Sequence, residues 1–460
     1  MQQQYTLRTA TAVIVANMVG TGVFAALFFQ VESVPSASAI LLLWFLGGIV
    51  ALSGGLCYAE LSGLFPRSGG EYEYLTKIFH PALGFSAGVC TLIIGFAAPM
   101  AGVALNLGNY FAPVLGVAQD SFTCRAIALG SVALVMVVNL FGIAAGSRFQ
   151  NISTAFKVAL ILVFIALPFC ITGYQPSGLS FRFDANTFKI ATSGNFFACL
   201  AMLYYAYTGW NASIYMASDV ENSKRNLPMS ILIGVFSVTA IYLLLNFAFM
   251  YACNFEEILA GGPSVGNTVA AKILGHTKIG PLLLKDFFSI LFSFALLATL
   301  NSFMLTAPSV AKILGKDYRM FRFFNRRWAN GSPYVAIFVM GTMTSLFVLL
   351  SDIRSLLDYV GFSLSCFASM VVLGIIVMRW RAPEAERPFR AWGYPVTPLL
   401  FLFINIAMVY YSVQSLYGGN FFYQTDAEGH IHIGPLSASF ITILLGVAAY
   451  YVLRPERAKE

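Results

Sequence analysis

Near the N-terminus the chain reads Asn17-Met18-Val19-Gly20-Thr21-Gly22-Val23-Phe24, in the middle of an apolar run from Thr9 to Phe29. Two glycines flanking a threonine weaken a helix where packing alone favours leucine. A second stretch, Tyr204-Tyr205-Ala206-Tyr207-Thr208-Gly209-Trp210-Asn211, interrupts a later apolar run near its middle. Small residues that let helices pack closely explain either stretch taken alone. Together, with aromatic and hydroxyl residues around them, they point to two helices broken at corresponding places. Paired glycine interruptions of this kind mark a midplane binding site between two structural repeats.

The rest of the chain fits that frame. It has 460 residues, 58% hydrophobic and 10% charged, with a mean hydropathy of +0.76. An ordinary soluble domain is about 25% charged, so most side chains here meet lipid or a dry interior. A span needs about 20 apolar residues. Twelve candidates stand at about 9–29, 38–64, 83–112, 123–145, 152–173, 193–218, 227–252, 285–312, 333–350, 354–378, 395–416 and 434–453. With no water in the hydrocarbon layer, each is helical, or irregular only where protein or a cavity shields it. The expected fold is an all-α membrane protein with 12 transmembrane helices in a single domain over 1–460. Helices 1 and 6 are discontinuous, repeat one covers about 9–173, repeat two about 193–378, and helices 11–12 about 395–453. The first apolar run is followed by further spans, so it reads as a span rather than a cleavable signal.

The net charge of +7 is explained by topology. With the N-terminus in the cytoplasm, most Lys and Arg fall on that side: Arg8, Arg67, Lys77, Arg148, Lys157, Lys224, Arg225, the group Lys312 to Arg327, Arg379 to Arg390, and Arg454, Arg457 and Lys459. This asymmetry places both termini inside and leaves membrane lipid, not nucleic acid, as the partner of the basic residues. The stretch Lys316–Gly331, with Arg319, Phe321, Arg322, Phe323, Phe324, Arg326, Arg327 and Trp328, reads equally as an amphipathic segment on the membrane surface or as an ordinary basic loop. The outer loops 253–284 and 417–433 are too short for separate domains. The seven cysteines, Cys57, Cys90, Cys124, Cys170, Cys199, Cys253 and Cys366, lack metal or redox spacing and read as buried structural thiols. His80, His276, His430 and His432 all fall in loops or near span ends, so neither an enzyme nor a metal site is expected, and no cofactor is implied.

The breaks suggest the chemistry. An unwound segment frees amide N–H groups at the positive end of a half-helix dipole, which suit a carboxylate. Freed carbonyls suit an ammonium group, so a zwitterion such as an α-amino acid satisfies both. Lys157 stands about six residues into span 5, ~9 Å from its inner end at ~1.5 Å per residue. It is either a lysine snorkelling to the interface or a fixed cation that braces span 1 in place of a bound sodium ion. Glu60 and Asp358 lie near span ends and read as interfacial. No acid occupies the middle of spans 3, 6 or 8, which favours a neutral cargo.

The motifs Val19-Gly20-Thr21-Gly22-Val23-Phe24, Pro66-Arg67-Ser68-Gly69-Gly70-Glu71-Tyr72, Gly209-Trp210-Asn211, Arg225-Asn226-Leu227-Pro228, Arg387-Pro388-Phe389 and Gly393-Tyr394-Pro395 follow one another over spans 1 to 11. In this order and spacing the chain resembles the amino acid–polyamine–organocation superfamily, and within it the bacterial relatives of the L-type amino acid transporters. The resemblance implies a five-plus-five inverted repeat working by alternating access in the inner membrane. It implies a substrate carboxylate at the backbone of Thr21 and Gly22 and an ammonium at carbonyls of Met18, Val19, Tyr205, Ala206 and Thr208, with Gly20 and Gly209 also in the binding site. It also implies an aromatic gate at Tyr205 and, at Lys157, the lysine of sodium-independent members.

Three departures qualify the match. Thr208 replaces a pocket glycine, which narrows the expected cargo to small neutral L-amino acids such as alanine, serine or glycine, moved by exchange. Tyr205 replaces the gating phenylalanine, and Ser309 stands where the family has an arginine. A polyamine or cationic amino acid antiporter is the alternative. Cys124, whose surroundings differ from those of the cysteine that joins animal members to a glycoprotein, implies no obligatory accessory chain.

Overall fold

The computed structural model describes residues 6–67, 69–119, 121–171, 173–275, 281–416, 423–425 and 431–453. Ser68, His276, His430, Arg454, Arg457 and Lys459 lie outside the described residues, as do parts of both outer loops. Helical segments occupy all twelve predicted stretches. Eight are long and apolar enough to cross a membrane: Ala37–Leu64, Pro81–Leu115, Phe122–Leu140, Ile152–Cys170, Ser223–Ala252, Asp286–Asp317, Ile353–Arg381 and Leu436–Leu453. Leu7–Met18, Gly194–Ala206, Tyr334–Leu350 and Val396–Tyr411 are apolar but shorter. Two of these four short helices are spans 1 and 6, and their shortness is the break itself.

The all-α expectation needs one amendment. Tyr423–Thr425 and Ile431–Ile433 pair as a small antiparallel hairpin, with Gln424 opposite His432. A second correction concerns span 5, whose helix starts at Ile143 rather than near residue 152. Its first turns are polar in sequence, but the polar groups have partners. Asn301 of span 8 donates to Gln150 Oε1 at 2.8 Å and to the Gly146 carbonyl at 3.3 Å. Asn139 of span 4 donates to Asn301 Oδ1 at 2.8 Å. A closed polar network thus lets a stretch that reads as a loop enter the bundle as helix.

Outside the spans, short helices run over Glu71–Ile78, Ala185–Ala191, Phe255–Gly261 and Val265–Leu274. Two of them start at side-chain caps. Asp184 with Thr187, and Asn254 with Glu257, form reciprocal capping boxes. His80 accepts the Ala82 amide through Nδ1 at 3.2 Å, so its role here is to cap span 3. In the basic loop, Arg319–Asn325 is a short 3-10 helix with aromatics on both sides. Phe324 is buried and Phe321 stacks on Phe85, whereas Phe323 and Trp328 are exposed. Of the cysteines, Cys170 is exposed and Cys366 half-buried, which corrects the expectation that all seven are buried; both sit on span helices with one side at the edge of the bundle.

Glu60 is the strongest anchor on the basic face. Read from the sequence as interfacial, it is fully buried. Its carboxylate accepts from Arg379 Nε at 3.0 Å and Nη2 at 2.7 Å, and from the Ala391 amide at 2.7 Å, and Arg387 Nε lies 3.2 Å away. Span 2 is thereby tied to the end of span 10 and to the segment leading into span 11. A nearby cluster joins Arg67 to Asp317 and, at 3.3 Å, to Glu73, while Tyr72 donates to Asp317 at 2.6 Å. Burial pushes the Glu73 carboxyl above the usual range, and the charges of Arg67 and Lys77 pull it back.

Breaking a buried ion pair by removing one partner leaves an uncompensated charge and costs about 3 kcal/mol. Glu60→Ala is therefore expected to lower the thermal midpoint of the detergent-solubilised protein clearly. An unchanged midpoint would show that this carboxylate does not anchor the segment.

Candidate functional site

The first half of span 1 ends at Met18 and the second half begins at Thr21, leaving Val19 and Gly20 in extended conformations. Gly20 precedes the second half-helix and offers no side chain to cap it. The opening amides of that half-helix, from Thr21 and Gly22 onward, have no carbonyl one turn back to bond. Gly22 is required by proximity: a Cβ there would stand 2.4 Å from Cα and Cβ of Ala206 in span 6. The two broken helices meet backbone to backbone at this point.

Lys157 lies at the middle of its helix and is fully buried, which excludes snorkelling. Its Nζ donates to the Ala16 carbonyl at 3.0 Å, to the Val19 carbonyl at 2.6 Å and to Thr299 Oγ1 of span 8 at 3.0 Å. An ammonium has three donors, and all three are used. The first half-helix points its negative end at this cation. A buried charge persists only when so satisfied. The depth inferred from sequence was too shallow because span 5 starts nine residues earlier than expected.

Span 6 ends its first helix at Ala206, passes through Tyr207 to Asn211, and resumes as a 3-10 helix over Ala212–Asp219. Gly209 has φ +99°, and a Cβ would meet Asn17 Cβ at 2.8 Å. The Tyr242 hydroxyl of span 7 contacts the Met18 carbonyl at 2.5 Å and the Ala206 carbonyl at 2.9 Å, joining both breaks. Sequence reasoning missed Tyr242, which carries no local signal. It also missed the π-helical turn Thr91–Ala97 in span 3, a distortion that often lines functional sites.

A narrow cavity adjoins the breaks. Its lining includes Asn17, Glu71, Gly95, Phe96, Tyr204, Thr208, Gly209, Trp210, Asn211, Tyr215, Phe303 and Thr306. By chain direction Asn17, Glu71 and Tyr215 lie on the basic-face side of the breaks, whereas Tyr204 precedes the span 6 break. Of the expected site residues, Thr208 and Gly209 line this cavity, whereas Met18, Val19, Gly20, Thr21, Gly22, Tyr205 and Ala206 do not. The Thr208 hydroxyl turns back to the Tyr205 carbonyl at 2.7 Å. Tyr205 points to span 3, where its hydroxyl donates to the Pro99 carbonyl at 3.3 Å.

A family model described as amino acid permease matches residues 5–433. The b(0,+)-type amino acid transporter 1 of Homo sapiens is 27% identical over 421 residues, covering 89% of this chain and 82% of that protein. The cystine/glutamate transporter of Homo sapiens is 25% identical over 461 residues, covering 98% and 85%. The Asc-type amino acid transporter 1 of Mus musculus is 26% identical over 397 residues, covering 85% and 73%.

Replacing Lys157 by alanine removes three hydrogen bonds at the break while leaving the long apolar helix able to insert. Lys157→Ala is expected to reach the membrane at near-normal levels and to lose amino acid uptake. Full uptake in that variant would reduce Lys157 to a packing residue.

Proposed function

The chain belongs to the amino acid permease family, multi-pass membrane transporters of amino acids rather than enzymes, and we propose that it exchanges small neutral L-amino acids without sodium. The observation that carries this reading is the pair of facing breaks. An uncapped half-helix start at Gly20–Gly22 supplies amide donors for a carboxylate. The carbonyls of Met18 and Ala206 share the one Tyr242 hydroxyl, which donates to one of them at a time, and a carbonyl has two lone pairs, so each keeps a position for an ammonium. The Val19 carbonyl already accepts from Lys157 and Thr299.

Lys157 supports sodium independence, because it places a covalently held cation between spans 1, 5 and 8. Thr208 supports a small cargo, since its methyl and the rings of Phe96, Tyr204, Trp210 and Phe303 narrow the cavity. Packing supports an inverted repeat with alternating access: spans 1 and 6, 2 and 7, and 3 and 8 each lie against one another, as elements related by a central pseudo-twofold axis do. The basic face fits the cytoplasmic side of an inner membrane, with both termini inside. Cys124 is buried and its thiol lies 3.4 Å from the Ala118 carbonyl, which supports function without a disulfide-linked companion chain. A polyamine or cationic amino acid cargo is the second reading, favoured by one observation: a carboxylate, Glu71, faces the cavity.

Purified protein in liposomes loaded with unlabelled alanine is expected to accumulate labelled alanine with no sodium gradient. Absence of counterflow for every standard amino acid would sink the reading, and competition by putrescine or arginine would favour the second one. Thr208→Gly removes bulk worth about 1–3 kcal/mol per methylene-sized step. It should lower the KM for leucine by roughly tenfold relative to alanine. An unaltered leucine-to-alanine ratio would show that Thr208 does not set cargo size.

A further inference from the structure

Glu71 opens the short helix between spans 2 and 3, yet it is only 6% exposed. Its Oε1 accepts from the Tyr58 hydroxyl at 3.0 Å and from Asn211 Nδ2 at 2.6 Å, and its Oε2 accepts from the Tyr215 hydroxyl at 2.7 Å. All three donors are neutral. Among the described residues no Lys, Arg or His forms an ion pair with it, whereas its neighbour Glu73 has Arg67 at 3.3 Å. A carboxylate offers about four acceptor positions, so Oε2, with one donor, has room for another. The dipole of its own short helix and the three neutral bonds lower the cost of the charge without cancelling it.

The carboxylate also lines the cavity that reaches Thr208 and Gly209. Of its donors, Asn211 is the last residue of the span 6 break and Tyr215 belongs to the 3-10 segment that follows it. Glu71 is thus hydrogen-bonded directly to that break.

We propose that Glu71 is an ammonium-binding station on the basic-face side of the breaks, which receives the amine of the cargo as it moves between the breaks and that face. The inference rests on the reading that the cavity carries an amine-bearing cargo. A primary ammonium supplies the missing positive charge and a donor for the open position on Oε2. It leaves the existing bonds to Tyr58, Asn211 and Tyr215 in place. A proton on Glu71 is the competing way to remove the charge, and it has different consequences.

The test uses membrane vesicles of both orientations carrying the full chain, as wild type, Glu71→Gln and Glu71→Asp. Propylammonium serves as a competitor with an amine and no carboxylate. In wild type it is expected to compete with alanine only when applied to the basic face. Glu71→Gln should raise the KM for alanine about tenfold from the basic face, change it by less than about twofold from the other, and abolish the competition. Glu71→Asp should retain the competition. Absence of competition in wild type overturns the proposal without recourse to any variant. So do equal KM changes on both faces, or a pH dependence lost in Glu71→Gln with both KM values unchanged, the signature of a proton site. Wild-type vesicles that exchange no amino acid would instead overturn the cargo reading, and the station with it.

Discussion

A broken helix in a membrane must satisfy backbone groups that water cannot reach, and the centre of this protein is organised around that requirement. Unpaired amides and carbonyls in hydrocarbon cost several kcal/mol each. Here the carbonyls at the span 1 break are met by Lys157, Thr299 and Tyr242. These donors come from spans 5, 8 and 7, so satisfying the carbonyls of Met18 and Val19 fixes the relative positions of four helices. On the other side of the break Gly20 gives the half-helix no side-chain cap. The proposed chemistry uses this asymmetry, with the carboxylate of the cargo at the uncapped half.

Span 6 solves the same problem differently. Its five-residue interruption turns back on itself, with Thr208 donating to the Tyr205 carbonyl and Gly209 in a left-handed conformation. Tyr242 then joins the Ala206 carbonyl to the Met18 carbonyl. One hydroxyl cannot donate to two acceptors at once, so it serves one carbonyl and faces the other. A single side chain thereby registers one break against the other, and the Gly22–Ala206 contact holds them at backbone distance.

The breaks themselves were legible, because glycine in the middle of a long apolar run has few structural reasons to be there. Gly22 and Gly209 both carried that signal. The identity of Lys157 was legible and its depth was not, because Gln150 and its neighbours look solvated until Asn301 is placed beside them. Glu60 and Glu71 were misjudged or overlooked for a related reason. Each follows or precedes a hydrophilic loop, and only the fold brings Arg379, Arg387, Asn211 and Tyr215 to them. Burial of an acid is a property of its distant neighbours, which local patterning does not encode. The comparisons settle amino acid transport within the permease family, whereas the proposed cargo rests on side chains such as Thr208 and Glu71.

The Glu60 clamp limits how the molecule can deform. Arg379 ends span 10, Ala391 leads into span 11, and both hold a carboxylate on span 2. Separating span 2 from span 10 at the basic face takes the buried Glu60 carboxylate away from Arg379. Spans 2, 10 and 11 are thus fastened at that face as one rigid piece, and the hinge of any large rearrangement must lie outside it. The interrupted spans 1 and 6, whose breaks are held by hydrogen bonds to backbone carbonyls rather than by a doubly anchored carboxylate, are the compliant joints that this geometry leaves.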